Sequence, residues 1–342
     1  MLHRVAPYSH RTLPPAFGEL GRSIGATPLV RLRFLTEWGP RTVLAKRECA
    51  NPSGSIKDRM AWEVLAGGYA RGELRPGDGV VEATSGNAGI ALAALGRELG
   101  HRVVIYMPDW MSVERIARMT DYGAEVRLVS REEGGFLGAI ARAEALARQP
   151  GWWGPRQFSN PDNPRAHART TGPEIVRAIV LDCAQTGALP GAFVAGVGTG
   201  GTVMGVGQAM RAAFPGVRIH PVEPAESPTL STGHKVGAHR IQGVSDDFIP
   251  EIVKLDQLDA VMSVHDGDAI LMAQTLARAG LGVGISSGAN VVAALRAAPV
   301  SVTVLADCDR KYRSTDLVRE EPVKAGYLSP EVELLSVEIQ PG

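Results

Sequence analysis

GVVEATSGNAGIALAALGRELGHRVVIYMPDWMSVERIARMTDYGAEVRLV, residues 79–129, alternates short β-branched runs with longer apolar ones of helical period. Residues 79–83 read as a strand and 88–99 as an apolar helix face. Residues 102–107 form a second strand, 112–122 a helix stopped by Gly123, and 125–129 a third strand. Three strands joined by two helices make a parallel sheet with right-handed crossovers. The fold class is therefore α/β.

Outward from that stretch the pattern repeats. Strand 192–196, helix 203–213 and strand 217–222 form a second series, later joined by helix 268–279 and strand 302–306. Between the two series, residues 151–169 are rich in Pro, Asn, Trp and Gly and read as the connection between lobes. No fixed-period repeat or low-complexity tract occurs. Residues 332–339 alternate weakly, as an added edge strand or a packing arm would.

The chain has 342 residues, enough for about two domains. With 44% hydrophobic and 21% charged residues it can bury a sizeable core, which excludes a disordered chain. The 36 Lys and Arg balance the 36 Asp and Glu, so no net field draws it to nucleic acid or an anionic membrane. Arg165 and Arg169 are spaced among other residues and form no basic run. Cys49, Cys183 and Cys308 lie far apart without metal-ligand spacing, and the eight histidines form no HExxH, so no metal site is expected. The stretch around His3, Arg4, His10 and Arg11 does not resemble a secretory signal, and no run approaches the ~18 apolar residues of a membrane span. A soluble, cytoplasmic protein is expected.

Four stretches carry chemistry. In KRECANPSGSIKDR, residues 46–59, Lys57 follows a turn and stands at the start of a helix, where a cation is unfavourable without another task. One such task is to bind a carbonyl cofactor as an imine; a surface lysine is the plainer reading. TSGNAG, residues 84–89, places Thr84, Ser85, Gly86 and Asn87 at a strand-to-helix turn, which would seat a carboxylate or simply cap the helix. GVGTGGT, residues 196–202, lets the backbone wrap a phosphate. Its Gly196, Gly198 and Gly201 also satisfy GxGxxG, with Glu223 placed for a dinucleotide ribose. GISSGAN, residues 284–290, offers Ser286 and Ser287 to a heterocycle or as helix caps. It also matches Gly-x-Ser-x-Gly, although no histidine follows it, the last being His265.

Together these stretches resemble the cysteine synthase and cystathionine β-synthase branch of the fold-type-II pyridoxal-phosphate enzymes. The similarity runs from GATPLVRL at 25–32 to KYRSTDL at 311–317. In order between them stand SIKDRMA, TSGNAGIALA, MPDWMSVERIARM, YGAEV, QFSNPDNPRAH, TTGPEI, GVGTGGT, VEPAESP, HRIQGVSDDFIP and GISSGAN.

The resemblance implies a two-domain, tryptophan synthase β-subunit-like fold, each domain an open, twisted, mostly parallel sheet flanked by helices. It implies a smaller mobile domain over 43–157, a larger cofactor phosphate-binding domain over 12–42 and 158–320, and a C-terminal extension over 321–342. Pyridoxal 5′-phosphate would be held as an aldimine by Lys57, the catalytic base. Asn87 would bond its phenolic oxygen, Gly198, Thr199, Gly200, Gly201 and Thr202 its phosphate, and Ser286 would face its pyridine nitrogen. Thr84, Ser85, Gly86, Asn87, Ala88, Gln157 and Gly243 would bind the amino-acid substrate. The implied reaction is β-replacement on O-acetyl-L-serine or O-phospho-L-serine by sulfide, through an α-aminoacrylate, giving L-cysteine. Homocysteine or an amine as nucleophile, and a non-catalytic binding relative, are the alternatives. A homodimer is expected by resemblance only.

Four positions depart from the family pattern. Ala88 stands where a threonine hydroxyl is usual, Arg313 replaces a leucine, and Asp246 and Asp247 occupy a place often held by small residues. The two acids either face the entrance, where they would repel an anionic second substrate, or belong to a solvated loop.

Overall fold

The computed structural model describes residues 13–340 and 342. The N-terminal positions His3, Arg4, His10 and Arg11 lie outside the described residues.

In chain order the elements are α1 (Ala16–Ser23), β1 (Leu29–Thr36), β2 (Gly39–Arg47), α2 (Lys57–Arg71), β3 (Gly79–Ala83), α3 (Asn87–Glu98), β4 (Val103–Pro108), α4 (Val113–Asp121), β5 (Glu125–Val129), α5 (Gly135–Ala147) and β6 (Trp152–Trp153). Then follow α6 (Asp162–Ala166), α7 (Gly172–Thr186), β7 (Ala192–Gly196), α8 (Gly201–Ala213), β8 (Arg218–Pro224), α9 (Thr229–Thr232), β9 (Met262–Val264), α10 (Asp266–Arg278), α11 (Ile285–Ala297), β10 (Val300–Leu305) and β11 (Glu333–Gln340).

Two sheets result. The smaller has order β5-β4-β3-β6 and every pairing in it is parallel. Its inner strands β3 and β4 are buried on both faces because each face carries helices, while the edge strand β5 is largely open to solvent. Val80, Val103 and Ile105 pack toward α2 and α3, while Val81, Ala83 and Val104 pack toward Ala139, Ala143 and Leu146 of α5. This is the period-two alternation of a strand read twice.

The larger sheet has order β11-β1-β2-β10-β7-β8-β9. Its central strands are parallel, and β1 and β11 add antiparallel neighbours at one edge. The alternation recurs here. Leu44, Phe193, Ala195, Val302 and Val304 face α7 and α8, and Val43, Ala45, Val194 and Leu305 face α10 and α11. The fold is thus a two-sheet α/β structure of open, mostly parallel sheets.

Boundaries differ in places from the sequence reading. β2 runs to Arg47 and pairs with β10, so a division at residue 43 cuts through a strand of the larger sheet. Phe17 of α1 packs into the smaller sheet's core although it precedes β1. The 151–169 connection contains β6 and α6, and 332–339 falls on the edge strand β11.

Candidate active site

The site lies where parallel strands of both sheets end, at the C-terminal ends of β3, β7 and β10, the usual seat of ligands in open α/β sheets. One cavity is lined by Lys57, Thr84, Ser85, Asn87, Ala88, Gln157, Gly198, Thr199, Gly200, Thr202, Gly243 and Ser286. Of the expected residues, Gly86 and Gly201 stand behind that lining.

Lys57 is the first residue of α2. Its place is fixed from below by a buried ion network two residues on. The Arg59 guanidinium donates to both oxygens of Glu48 and to Glu174. Against the cost of burial, that network holds the Glu174 carboxyl down at about 2, chiefly through the Arg59 hydrogen bond. Lys57 N donates to Ser55 Oγ at 3.3 Å, and Asp58 accepts from Ser53 N at 3.0 Å. The Lys57 side-chain amine makes no hydrogen bond among the described residues. Loss of solvent lowers its pKa from the usual lysine value, while Asp307 and Asp246 pull it back up.

Asn87 opens α3. Its Nδ2 donates to Asp307 Oδ2 at 2.7 Å, and its Oδ1 accepts from Lys311 Nζ at 2.9 Å. These partners fix which way the amide points, because a carboxylate only accepts and an ammonium only donates. One N–H of Nδ2 is left to give to a ligand oxygen. Lys311 Nζ also donates to Gly54 O, in the turn before Lys57.

The glycine loop after β7 runs into α8, whose N-cap Gly200 has φ +85° and supplies no side-chain cap. Gly201 N donates to Thr199 Oγ1 at 3.4 Å, and the N–H groups of Thr202 and Val203 that follow in the first turn of this 13-residue helix are left to an anion. A Cβ on Gly198 would strike the Gly243 carbonyl, and one on Gly201 would strike the Asn163 amide, so both need glycine. His167 stands beneath the loop with Nε2 3.5 Å from Thr202 Oγ1 and Nδ1 2.9 Å from Thr171 Oγ1. Burial, with Lys57 and Arg59 nearby, pushes its pKa well below the ordinary value.

Ser286 is buried in the first turn of α11, one residue inside it rather than at its cap, which is Gly284. The segment before it follows helix α10, not a strand, so the serine sits on no nucleophile elbow. Glu223, the acid of the dinucleotide reading, does not line the cavity. It accepts from Leu230 N, Ser231 Oγ and Ser263 Oγ. Gln157 Nε2 donates to Ala83 O, and its N–H to Glu82 Oε2. No group of side chains that could hold a metal occurs among the described residues.

Asp246 is half-buried and lines the cavity. Desolvation chiefly, and then Asp247, push its pKa up to about 7 against the pull of Lys57 and Lys235. Asp247 stands in the outer recess, paired with Lys235 at 2.5 Å. The pair is thus no merely solvated loop. Arg313 is exposed and outside the cavity.

Asp307, Lys311, His167 and Arg115 were not among the residues expected at the site. The first two come from the segment after β10, whose local sequence carries no glycine signature. Only the sheet order brings them under Asn87.

These residues fit pyridoxal phosphate. An enclosed amine without a partner, a helix N-terminus with glycines in front of it, a fixed amide N–H and a neutral hydroxyl match its carbonyl, phosphate, phenolic oxygen and ring nitrogen. When bound, the cofactor supplies a carbonyl for an amine and a ring that draws electron density from Cα.

Comparison with known proteins agrees. Residues 20–301 match the family model of pyridoxal-phosphate dependent enzymes. The chain is 45% identical over 302 residues to a probable cysteine synthase of Bacillus subtilis, covering 86% of this chain and 95% of that protein. It is 39% identical to a cysteine synthase of Staphylococcus aureus over 86% of this chain and 94% of that one. A crystal structure of a hydrogen sulfide-producing enzyme from Fusobacterium nucleatum superposes with a TM-score of 0.90 at 48% identity, over 95% of this chain and 99% of that chain. The protein belongs to the pyridoxal-phosphate dependent enzymes of fold type II, on the cysteine synthase branch.

Proposed function

We propose that this β-replacement enzyme exchanges the β-substituent of a three-carbon amino acid with sulfide as one exchanged group, and that it runs toward sulfide release. L-Cysteine is the donor and water enters in place of sulfide, giving L-serine and hydrogen sulfide. Asp246 carries this reading. An ionised carboxylate in the cavity repels hydrosulfide as an entering nucleophile. The departing thiolate takes the proton that Lys57 removes from Cα and leaves as hydrogen sulfide, and Asp246 then accepts a proton from water as the oxygen joins Cβ, that proton making up the one returned to Cα.

Around that step the chain's residues divide the work. The lowered pKa of Lys57 shifts its amine toward the neutral form, the form that binds a carbonyl and removes the Cα proton. The turn at Thr84, Ser85, Gly86 and Asn87 seats the substrate carboxylate, with Gln157 beside it. Ser286 offers the ring nitrogen a hydroxyl rather than a charge, which favours elimination over transamination.

The opposite direction is sulfide entering on O-acetyl-L-serine or O-phospho-L-serine to give L-cysteine. The names of the B. subtilis and S. aureus relatives favour it. The reading also includes a cytoplasmic homodimer, in keeping with three cysteines free of disulfides.

The two directions separate in one assay. The holoenzyme is given L-cysteine alone, or O-acetyl-L-serine with sulfide, and sulfide and amino acids are followed together. The proposal expects serine and sulfide from cysteine, with the larger kcat/KM, and a collapse of that rate in Asp246→Asn. Faster cysteine formation, undisturbed by Asp246→Asn, would overturn it.

A further inference from the structure

Arg115, in the first turn of α4, is 1% exposed yet lines the active-site cavity. A buried guanidinium normally has a carboxylate beside it, because an unpaired buried charge is costly. Among the described residues none lies within ion-pair distance of it. Its Nη1 donates to the neutral Gln242 Oε1, its guanidinium carbon stands 4.7 Å from the centroid of Tyr312, and its Nε is buried without a hydrogen-bond partner. Both oxygens of Glu114 take Ser314, and Asp307 gives Oδ2 to Asn87 and Tyr312 while its Oδ1, left without a partner, makes no ion pair with Arg115.

Arg115 packs directly against the 84–87 turn. A Cβ on Gly86 would come 2.6 Å from Arg115 Nε and closer still to its Cδ. Glycine at 86, with φ +153°, lets the guanidinium approach the turn. The turn itself offers only neutral donors, and Ala88 adds no hydroxyl.

We propose that Arg115 is the cationic anchor for the carboxylate of the amino-acid substrate. It stands behind the turn and supplies the charge that the turn and Ala88 lack. The proposal rests on reading that turn as the carboxylate seat. It makes Arg115 a binding residue, with Gln242 holding the guanidinium until the anion arrives.

The test is equilibrium binding of L-serine and L-serinamide to the holoenzyme by calorimetry, in the parent, Arg115→Met and Arg115→Lys. The two ligands differ in the group on the turn, an anionic carboxylate in one and a neutral carboxamide in the other. Arg115→Met should weaken L-serine by about tenfold or more and leave L-serinamide unchanged, while Arg115→Lys keeps most of the preference for serine. Equal losses for both ligands, as a purely structural role would give, overturn the proposal. So does undiminished serine binding in Arg115→Met. Should the Met variant fail to fold, loss of the preference in a folded Lys variant does the same. A parent that binds neither ligand overturns the amino-acid reading itself, and the anchor with it.

Discussion

Asn87 Nδ2 donates to Asp307 Oδ2 at 2.7 Å, across the gap between the helix that follows β3 of the smaller sheet and the segment that follows β10 of the larger. Asp307 is fully buried, accepts from Tyr312 as well, and leaves Oδ1 without a partner. It aims the one amide that faces the expected phenolic oxygen. Burial lowers the pKa of the neighbouring Lys311 amine, and Asp307 pulls it back up.

Replacing Asp307→Ala should therefore weaken cofactor binding by about tenfold, the scale of one charge-assisted hydrogen bond. Asp307→Asn, which still accepts from Asn87, should lose less. Equilibrium dialysis against pyridoxal phosphate measures both; equal retention in all three proteins would contradict the positioning role.

Asp246 gives a pH signature. With its pKa near 7, the basic form grows as pH rises through that value, so sulfide release from cysteine should climb across pH 6 to 8, roughly a unit either side, and then level. Asp246→Asn should lower the rate about 10²-fold and remove that inflection. An inflection that survives the substitution belongs to another group.

How far the sequence disclosed this site follows from where its residues sit. Lys57, the 84–87 turn, the 198–202 loop and Ser286 were legible because each lies at a strand end or helix start, where glycine and small polar residues leave a local mark. The parallel strands β3, β4, β5, β7, β8 and β10 were legible from their alternation with helices, whereas β1, β2, β6 and β9 were not read as strands. Asp307, Lys311 and Arg115 were not legible: the first two stand in an unmarked segment that acquires a role only when the sheet order β2-β10-β7 sets it beside α3 and α4, and Arg115 is one basic residue of α4 with no local mark. The edge at residue 43 was misplaced for a similar reason: β2 is apolar from Val43 to Ala45, and its membership is decided by pairing with β10.

Glu82 is buried beneath Gln157 and accepts from Ala83 N and Gln157 N, and desolvation raises its pKa to about 7. Because that folded value exceeds the ordinary 4.5, the folded state holds the proton more tightly, and this group's contribution to stability falls as pH rises between the two. The unfolding free energy of Glu82→Gln, relative to the parent, should improve by up to about 1.4 kcal/mol per pH unit across that window and be flat above it. Urea titrations at several pH values test the slope, and a pH-independent difference would contradict the raised pKa.

Ser286→Asp places a carboxylate in the first turn of α11, where the hydroxyl faces the cavity. A charge there would hold a proton on the ring nitrogen, so racemisation and transamination of the amino acid should rise relative to β-replacement. Chiral chromatography of the products measures this, and an unchanged product ratio would contradict the role given to the hydroxyl.

The account turns on Lys57. Borohydride reduction of the purified holoenzyme, followed by peptide mapping in a mass spectrometer, should find the reduced pyridoxyl phosphate adduct on the peptide carrying Lys57 and nowhere else, and no adduct in Lys57→Ala. An unmodified Lys57 peptide from active protein, or the same adduct on Lys311, would contradict it.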